Sequence, residues 1–382
     1  MNEPNKHPMF GVLMGWLKAV VQKKASDLFL VPGFAPAVKV DGRIQRLAEQ
    51  NLTPKDTALV ARLMMSDKQW GGFEATNECN FAFMHPETGR FRVNAMVQRG
   101  SVAIVARRIN TVVPEPKQLG LPAILLDIVM EKTGLVLVVG ATGSGKSTTL
   151  AAMIGYRSNH ADEHIVTVED PIEYVYKHNR SIISQREVGL DTEDWHVALK
   201  NALRQAPDVI LVGEIRDRQT MEYALEFAET GHLCLATLHS SNADQTIDRI
   251  LNLFPEEMRE QILMVLSINL RGIIAQRLIP KKDNEGRVAA FEVLLPTPAI
   301  KEAIFKGELE RIKELMRRGE ETGMCTFDQS VFELFDAGAI GFEQAIRNAD
   351  SKNELRLRIR MESRFAAEVG GGGNHLELMD SQ

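Results

Sequence analysis

The sequence has few cysteines and no long apolar run. Cys79, Cys234 and Cys325 form no Cys-x-x-Cys pair, which excludes a disulfide framework and a cysteine zinc site and fits a reducing compartment. No segment reaches the ~18–20 uninterrupted apolar residues that a membrane-spanning helix needs. The first residues, MNEPNKHPMFG, lack the charged-then-apolar layout of a signal peptide. We therefore expect a cytoplasmic protein.

The sequence also has no excess of positive charge. Its 382 residues include 45 Lys and Arg against 51 Asp and Glu, a formal net charge of −6, and this disfavours a protein that coats nucleic acid. Hydrophobic residues make up 44% and charged residues 25% of the chain, which is typical of an ordinary globular protein. The length predicts roughly two domains of about 150 residues each.

The first part of the chain has the pattern of a mixed α+β domain. Apolar residues at helical spacing over 13–20 predict an amphipathic helix. Asp41-Gly42 predicts a turn between two short strands. Thr53, followed by proline and by aspartate three residues on, predicts the start of a second helix. Further strands are expected between 80 and 109, so we predict an N-terminal domain over residues 1–111.

A linker and a second domain follow. Residues 112–120 contain two prolines and a glycine without periodicity, which is typical of a linker. Beyond them, the apolar strands LVLVV, HIVTVE, DVILVGE and LCLATL alternate with helices. We expect a long helix between the second and third of these strands, and mostly helices after the fourth. This pattern predicts an α/β fold over 121–367, with a parallel sheet covered by helices, and a disordered tail over 368–382.

A glycine-rich segment carries the strongest chemical signal. Residues 140–147 match G-x-x-x-x-G-K-[S/T], and they lie between an apolar strand and a helix-competent run. Glycines let backbone N–H groups surround phosphate oxygens, Lys146 adds charge at the β- and γ-phosphates, and the Ser147 hydroxyl can bind Mg²⁺. The alternative is a chance glycine turn. We predict an ATP and Mg²⁺ site that includes Gly140, Thr142, Gly143, Ser144, Gly145, Lys146, Ser147 and Thr148.

Acidic residues follow two of the predicted strands. Glu214 ends DVILVGE, at the edge of a parallel sheet where ligands bind, and there it can hold Mg²⁺ or its waters. Glu169 and Asp170 follow HIVTVE, and one of them can orient and deprotonate the attacking water. The alternative is that these acids are ordinary solvated loop residues.

Two histidines flank the fourth predicted strand. His232 precedes LCLATL and His239 follows it, so either can sense a γ-phosphate, or both are packed or surface residues. Metal ligation by these histidines is disfavoured, because no third ligand has suitable spacing.

Together these segments resemble the secretion ATPase superfamily, and in particular its type IV pilus retraction ATPases, the PilT/PilU group. LRQAPDVILVGEIRD fits the superfamily signature, VEDPIEY looks like its Asp box, and TGHLCLATLHS looks like its His box. In the N-terminal domain, SDLFLVPG and GRFRVNAMVQRG resemble the small PAS-like domain of that superfamily. The resemblance covers residues from about 25 to 360, and it implies a RecA-like P-loop core preceded by a PAS-like α+β domain.

The resemblance also implies roles for residues and an assembly. It implies a hexameric ring with nucleotide sites at subunit interfaces, Glu169 as general base, and Glu214 as the acid that binds the metal. A guanidinium at the γ-phosphate stabilises developing charge, and the arginines whose positions suggest that they reach a nucleotide, in cis or in trans, are Arg90, Arg92, Arg99, Arg204 and Arg216. The alternative for each arginine is a surface ion pair.

Departures from the superfamily's patterns indicate which of its branches this sequence resembles. The chain lacks the tetracysteine insertion and the larger N-terminal region of assembly ATPases, which favours the retraction branch. The main retraction motor has an AIRNLIRE signature, and most of it is absent from the corresponding 299–306, AIKEAIFK. The later segment TFDQSVFELFDAGAIGFEQAIRN resembles the accessory paralogue of that motor.

The resemblance thus implies an accessory ATPase of pilus retraction and twitching motility, peripheral at the inner-membrane base of the pilus. Its implied partners are other copies of itself, the paralogous main retraction ATPase and an inner-membrane platform protein, with no nucleic acid. Two alternatives stay open. One is an ATP-binding adaptor with little hydrolysis of its own. The other is a nucleic-acid translocase on the same core. In the sequence, only one group of basic residues supports it: Arg356, Arg358, Arg360 and Arg364.

Overall fold

The computed structural model describes residues 7–40, 42–109, 112–283 and 285–366. The described residues up to Val113, together with Ile172–Tyr176, form one compact unit, and the other described residues form a second. The domain and linker boundaries given above remain predictions. The tail predicted to be disordered, 368–382, lies outside the described residues.

The first unit combines helices with an antiparallel sheet. Its strand order is β3-β2-β1-β6-β5-β4, and every neighbouring pair is antiparallel. The elements within its described residues are α1 (Pro8–Gln22), β1 (Asp27–Leu30), β2 (Ala37–Val40), β3 (Arg43–Arg46), α2 (Pro54–Met64), α3 (Asp67–Thr76), β4 (Glu78–His85), β5 (Gly89–Gln98) and β6 (Ser101–Arg108).

The local predictions for this unit are confirmed. Helix α1 buries Leu13, Leu17 and Val20 on one face. Strands β2 and β3 form the expected hairpin. Helix α2 begins with a capping box, in which the Asp56 N–H donates to Thr53 Oγ1 at 3.2 Å and the Thr53 N–H donates to Asp56 Oδ2 at 2.8 Å. These bonds satisfy two backbone donors that a helix start otherwise leaves open.

The second unit contains a seven-stranded sheet in the order β13-β12-β7-β11-β10-β8-β9. Only the edge strand β13 is antiparallel to its neighbour among the described pairs. The elements are α4 (Ile124–Val129), β7 (Gly134–Val139), α5 (Lys146–His160), β8 (His164–Glu169), β9 (Ile182–Glu187), α6 (Trp195–Ala202), β10 (Val209–Val212), α7 (Arg218–Glu229), β11 (Leu233–Leu238), α8 (Ala243–Leu251), α9 (Arg259–Asn269), β12 (Leu270–Pro280), β13 (Arg287–Leu294), α10 (Pro298–Lys306), α11 (Ile312–Arg318), α12 (Phe327–Asp336), α13 (Phe342–Asn348) and α14 (Lys352–Glu362).

The centre of this sheet is the core of the unit. Every residue of β7, β10 and β11 is buried, because helices cover both faces, and apolar side chains on both faces are what such burial requires. The predicted parallel sheet covered by helices is confirmed. Since neighbouring parallel strands run in the same direction, the loops after β7, β11, β10 and β8 all leave from one edge.

One prediction about this unit is wrong, and another is incomplete. The segment between β8 and β10 is not one long helix, because it contains strand β9 and the eight-residue helix α6. The chain after β11 is mostly helical, as predicted, but β12 and β13 also add eleven and eight residues of strand to the sheet, and these two strands were not predicted. Strand β12 pairs with β7, which is distant in sequence, whereas β9 pairs with β8, the strand that precedes it in the chain.

Candidate nucleotide-binding site

The loop between β7 and α5 forms a cradle that only glycine can line at its first position. Gly140 has a φ of +149°, and a Cβ there would lie 2.5 Å from Ser144 Oγ and 2.6 Å from the carbonyl oxygen of Gln276. Gly143 and Gly145 also have positive φ, at +79° and +92°, which L side chains disfavour. The turn therefore requires the glycines that the sequence motif supplies.

Polar groups of this loop fit a phosphate chain. The buried Lys146 ammonium donates to the carbonyl oxygens of Gly140 at 2.9 Å and Ala141 at 3.1 Å, inside the loop. The Ser144 hydroxyl is buried and has no hydrogen-bond partner within the described chain. Such an orphaned hydroxyl is costly unless a ligand or water pairs with it. Ser147 and Thr148 lie half-buried in the first turn of α5.

Strand β12 forms the other wall of the site, and sequence reasoning missed it. A cavity of about 310 Å³ is lined by residues of the loop together with Ser241, Gln276, Arg277, Leu278 and Arg287. Gln276 accepts a hydrogen bond from Thr149 of α5 at 2.7 Å. This bond ties β12 to the helix that follows the loop. A polar Gln-Arg pair inside an apolar run was the available signal in the sequence.

Glu214 lies at the carboxyl edge of the sheet and is held from two sides. Its Oε1 is 2.7 Å from Nε2 of His239, which follows β11. Its Oε2 accepts from Nε of Arg216 at 2.7 Å, and this hydrogen bond raises the pKa of the Arg216 guanidinium. Arg216 also lies 3.7 Å from Asp170. The structure thus brings together four predicted site residues from the loops after β8, β10 and β11, and their catalytic roles stay predictions.

Glu169 ends β8, the strand next to β10. It is buried, with 8% of its surface exposed. Its Oε1 accepts from Thr167 Oγ1 at 2.7 Å and from Gln185 Nε2 at 3.1 Å. Gln185 belongs to β9, so sequence reasoning missed it together with that strand. Because a carboxylate with fixed partners has a fixed orientation, this position suits a group that must face a reacting water.

Two residues that the sequence predicted to contact nucleotide, His232 and Arg204, lie away from this edge of the sheet. His232 precedes β11, at the opposite end of that strand from His239, and its Nδ1 is 3.1 Å from the Thr230 hydroxyl. The prediction that either histidine can reach the γ-phosphate is therefore wrong for His232 within one chain. Arg204 is exposed in the turn that precedes β10, at the opposite end of β10 from Glu214. The predicted contact of Arg204 with nucleotide, in cis or in trans, stays a prediction.

The remaining predicted arginines lie on the first unit. Arg90 and Arg92 are half-buried on one face of β5, whose other face buries Phe91 and Val93. Arg99 is exposed in the turn between β5 and β6 and has a φ of +48°. Their proposed contact with nucleotide stays a prediction.

The described residues contain neither a cluster of metal ligands nor a membrane-spanning helix. In the part of the chain that the structure describes, no three His, Cys, Asp or Glu residues are grouped to hold a metal ion. A magnesium ion would instead use the Ser147 hydroxyl, Glu214 and phosphate oxygens, which are the hard oxygen ligands it prefers. None of the described helices has the length and hydropathy to cross a membrane. All three cysteines are free thiols.

A buried parallel sheet, a glycine-lined loop that opens a helix, and acidic residues at the same sheet edge define a P-loop nucleotide-binding protein. The model of the type II/IV secretion system protein family matches residues 2–347. The chain belongs to this family.

Individual relatives agree with that assignment. The type IV pilus ATPase PilU of Pseudomonas aeruginosa is 49% identical over 352 residues, which are 92% of this chain and 92% of that protein. The type IV pilus retraction ATPase PilT of the same bacterium is 42% identical over 325 residues, 85% of this chain and 94% of that protein. The crystal structure of the pilus retraction motor PilT with bound ADP is 45% identical and has a TM-score of 0.84, covering 89% of this chain and 98% of that one. The resemblance to the retraction ATPases and the RecA-like core that it implies are confirmed.

Proposed function

We propose that this protein is an ATPase of type IV pilus retraction and twitching motility that works as an accessory motor beside a main retraction ATPase. The observation that carries the proposal is the complete phosphate loop with Glu169, Glu214 and His239 at the same sheet edge. It occurs in a chain that is 49% identical to a protein named as the type IV pilus ATPase PilU.

The geometry supports a division of labour among the residues. Backbone N–H groups of the loop and Lys146 bind the phosphates, and Glu169 accepts the proton of the attacking water. A magnesium ion, bound by Ser147 and Glu214, would neutralise charge on the β- and γ-phosphates. Arg216 and His239 hold the Glu214 carboxylate in one orientation at 2.7 Å each.

We further propose an oligomeric ring, a hexamer, whose sites are completed by arginines in cis or in trans. The candidates are Arg90, Arg92, Arg99, Arg204 and Arg216. The other proposed partners are the paralogous main motor and an inner-membrane platform protein, at the cytoplasmic face of the inner membrane, with no nucleic acid. The proposal includes the predicted domain boundaries, which are a PAS-like domain over 1–111, a linker over 112–120 and a RecA-like core over 121–367.

A specific observation favours a second candidate, the ATP-binding adaptor. Residues 299–306 depart from the signature of the main retraction motor, and they form α10, where Phe305 is 58% exposed. The translocase alternative loses support, because Arg358 pairs with Glu362 at 2.9 Å and Arg364 with Asp336 at 3.0 Å. We expect no salt-sensitive binding to DNA, and its detection would revive that alternative.

An ATPase assay on the purified full chain, with and without the paralogous motor, tests the proposal. We expect ATP hydrolysis that Lys146→Ala abolishes, because the substitution removes the charge at the β- and γ-phosphates. The matched control is Lys132→Ala, an exposed lysine of the same unit, which leaves the rate unchanged. If the native protein hydrolyses no ATP under either condition but binds it, the adaptor is the correct function.

A further inference from the structure

Glu292 is a buried carboxylate that has no role in the hydrolysis mechanism proposed above. It lies in β13 with none of its surface exposed. Its Oε1 accepts a hydrogen bond from the backbone N–H of Ala243 at 2.8 Å. Its Oε2 is buried and has no hydrogen-bond partner among the described residues. Burying a carboxylate this completely is unfavourable, and among the described residues the Ala243 N–H is the hydrogen-bond donor that compensates for it.

The hydrogen bond holds the end of a segment that contacts the nucleotide site. Ala243 is the first residue of α8, and the four residues 239–242 connect that helix to β11. The first of them, His239, lies 2.7 Å from Glu214. The third, Ser241, lines the cavity beside the phosphate loop. The connection is therefore fixed at one end by β11 and at the other by Glu292.

We propose that Glu292 is a positioning residue for nucleotide turnover: it fastens the start of α8 to β13 and thereby sets the position of His239 against Glu214. This inference rests on the proposed function. It assigns a task to a side chain that is 49 positions from Ala243 in sequence and that belongs to none of the motifs discussed above.

The electrostatic surroundings of Glu292 agree with an anchoring role. Burial raises the pKa of this carboxyl to about 7, while the Ala243 N–H and the charge of Lys313 act to lower it and the charges of Asp350 and Asp244 act to raise it. Lys313 pairs in turn with Asp350 at 2.6 Å. The nine-residue helix α8 directs its N-terminal partial positive charge at the carboxylate. The chain thus surrounds Glu292 with charges of both signs rather than with apolar groups alone.

Two variants of the full chain test the anchor. Glu292→Leu removes the acceptor for the Ala243 N–H, and we expect kcat to fall about 10- to 100-fold, because small displacements of catalytic groups have effects of that size. The dissociation constant for a fluorescent ATP analogue should change less than about threefold, because the phosphate loop follows a different strand. Glu292→Gln retains an acceptor oxygen and should restore most of kcat. A fall in affinity with kcat unchanged, or a failure of Glu292→Gln to restore kcat, would overturn the proposal.

The matched control removes a neighbouring hydrogen bond of the same strand. Ser330 Oγ accepts from the backbone N–H of Phe291 at 3.1 Å, so Ser330→Ala perturbs β13 one residue away without touching α8. We expect this variant to keep the kcat of the native protein. If Ser330→Ala lowers kcat as much as Glu292→Leu does, the effect of Glu292 is general loosening of β13 and the proposal fails. Should Glu292→Leu not fold, Glu292→Asp replaces it, because the shorter side chain withdraws the carboxylate from Ala243.

A double-mutant cycle separates positioning from mere stability. If Glu292 acts through His239, Glu292→Leu should cost less than about threefold in kcat when His239 is already alanine. Losses that multiply in the double variant would overturn the proposal.

Hydrogen exchange provides a readout that does not need hydrolysis. Amides of 239–246 should exchange faster in Glu292→Leu than in Ser330→Ala, with the phosphate loop unchanged. If the native protein proves not to hydrolyse ATP, the proposed function fails while exchange still decides the anchor. Unchanged exchange in 239–246 would disprove the anchor whatever the hydrolysis rate.

Discussion

Each of the two acids of this site is held by one partner from its own strand or loop and by a second partner from a different strand or loop. The Glu214 carboxylate contacts His239 on one side and Arg216 on the other. Glu169 is held by Thr167 and by Gln185. The partners of Glu214 hold its two oxygens, and both partners of Glu169 hold Oε1. The two acids are therefore oriented before a nucleotide arrives, and such preorganisation is what a catalytic carboxylate needs.

Substitution of the proposed base should separate chemistry from binding. Glu169→Gln keeps the shape of the side chain but cannot accept a proton, so we expect kcat to fall about 10²- to 10⁴-fold with little change in nucleotide affinity. Steady-state hydrolysis and equilibrium binding measure the two quantities. Glu173→Gln, an exposed carboxylate four residues further on, is the control and should behave as the native protein does. Native-like hydrolysis by Glu169→Gln would exclude this residue as the base.

The buried Glu292 should make stability depend on pH. Its pKa rises from 4.5 to about 7 on folding, so between these values the folded state binds more protons than the unfolded state. The contribution of Glu292 to the free energy of unfolding is therefore at its maximum below pH 4.5. It falls by about 3 kcal/mol as the pH rises towards 7. Urea unfolding at pH 5 and pH 8 should show this loss in the native protein and a smaller one in Glu292→Gln. Equal pH dependence in both proteins would contradict the prediction.

At the level of elements, helices and strands that depend on neighbouring residues were predicted correctly. Strands that form by pairing with distant segments were not predicted. The capping box at Thr53 and the strand before the phosphate loop follow from neighbouring residues. Strands β12 and β13 do not, since short apolar runs fit a buried helix as well as a strand, and pairing with β7 decides between them. Strand β9 was missed because its half-buried residues lack a continuous apolar run.

The turn between β7 and α5 permits a test of its first glycine. Gly140→Ala places a Cβ against Ser144 and the backbone of Gln276, so we expect loss of nucleotide binding and a lower melting temperature. Gly231→Ala is the control, because Gly231 has a φ of +94° but open space around its missing Cβ, and it should cost only about 1–2 kcal/mol. Thermal unfolding and binding of an ATP analogue measure both. Equal effects of the two substitutions would show that the steric argument is wrong.

At the level of the whole molecule, the chain combines two units with different tasks in the proposal. The second unit contains the phosphate loop and the acids. The first presents arginines on β5 and in the turn after it. A ring whose sites are shared between subunits would couple hydrolysis in one subunit to movement of the next, because a heterologous interface repeats around a closed ring.

Mixing two inactive variants tests whether sites are shared. Lys146→Ala subunits lack the phosphate lysine, and Arg99→Ala subunits lack an exposed arginine of the first unit. If Arg99 acts in trans, random mixed rings contain about a quarter of interfaces with both residues intact, and hydrolysis should reappear. Arg43→Ala, an exposed arginine of β3, should leave hydrolysis unchanged on its own. Absence of recovery in the mixture would place the action of Arg99 within its own subunit.

The sequence by itself determined the phosphate loop, the cap of α2 and the succession of the central strands along the chain, because each depends on residues that are close together in the chain. Only the tertiary structure decided which end of a strand a residue occupies, and so it kept His239 in the site and removed His232. It also brought Gln276 to the phosphate loop and Glu292 to Ala243. These contacts depend on the spatial order of strands that are far apart in sequence, and no local pattern of residues encodes that order.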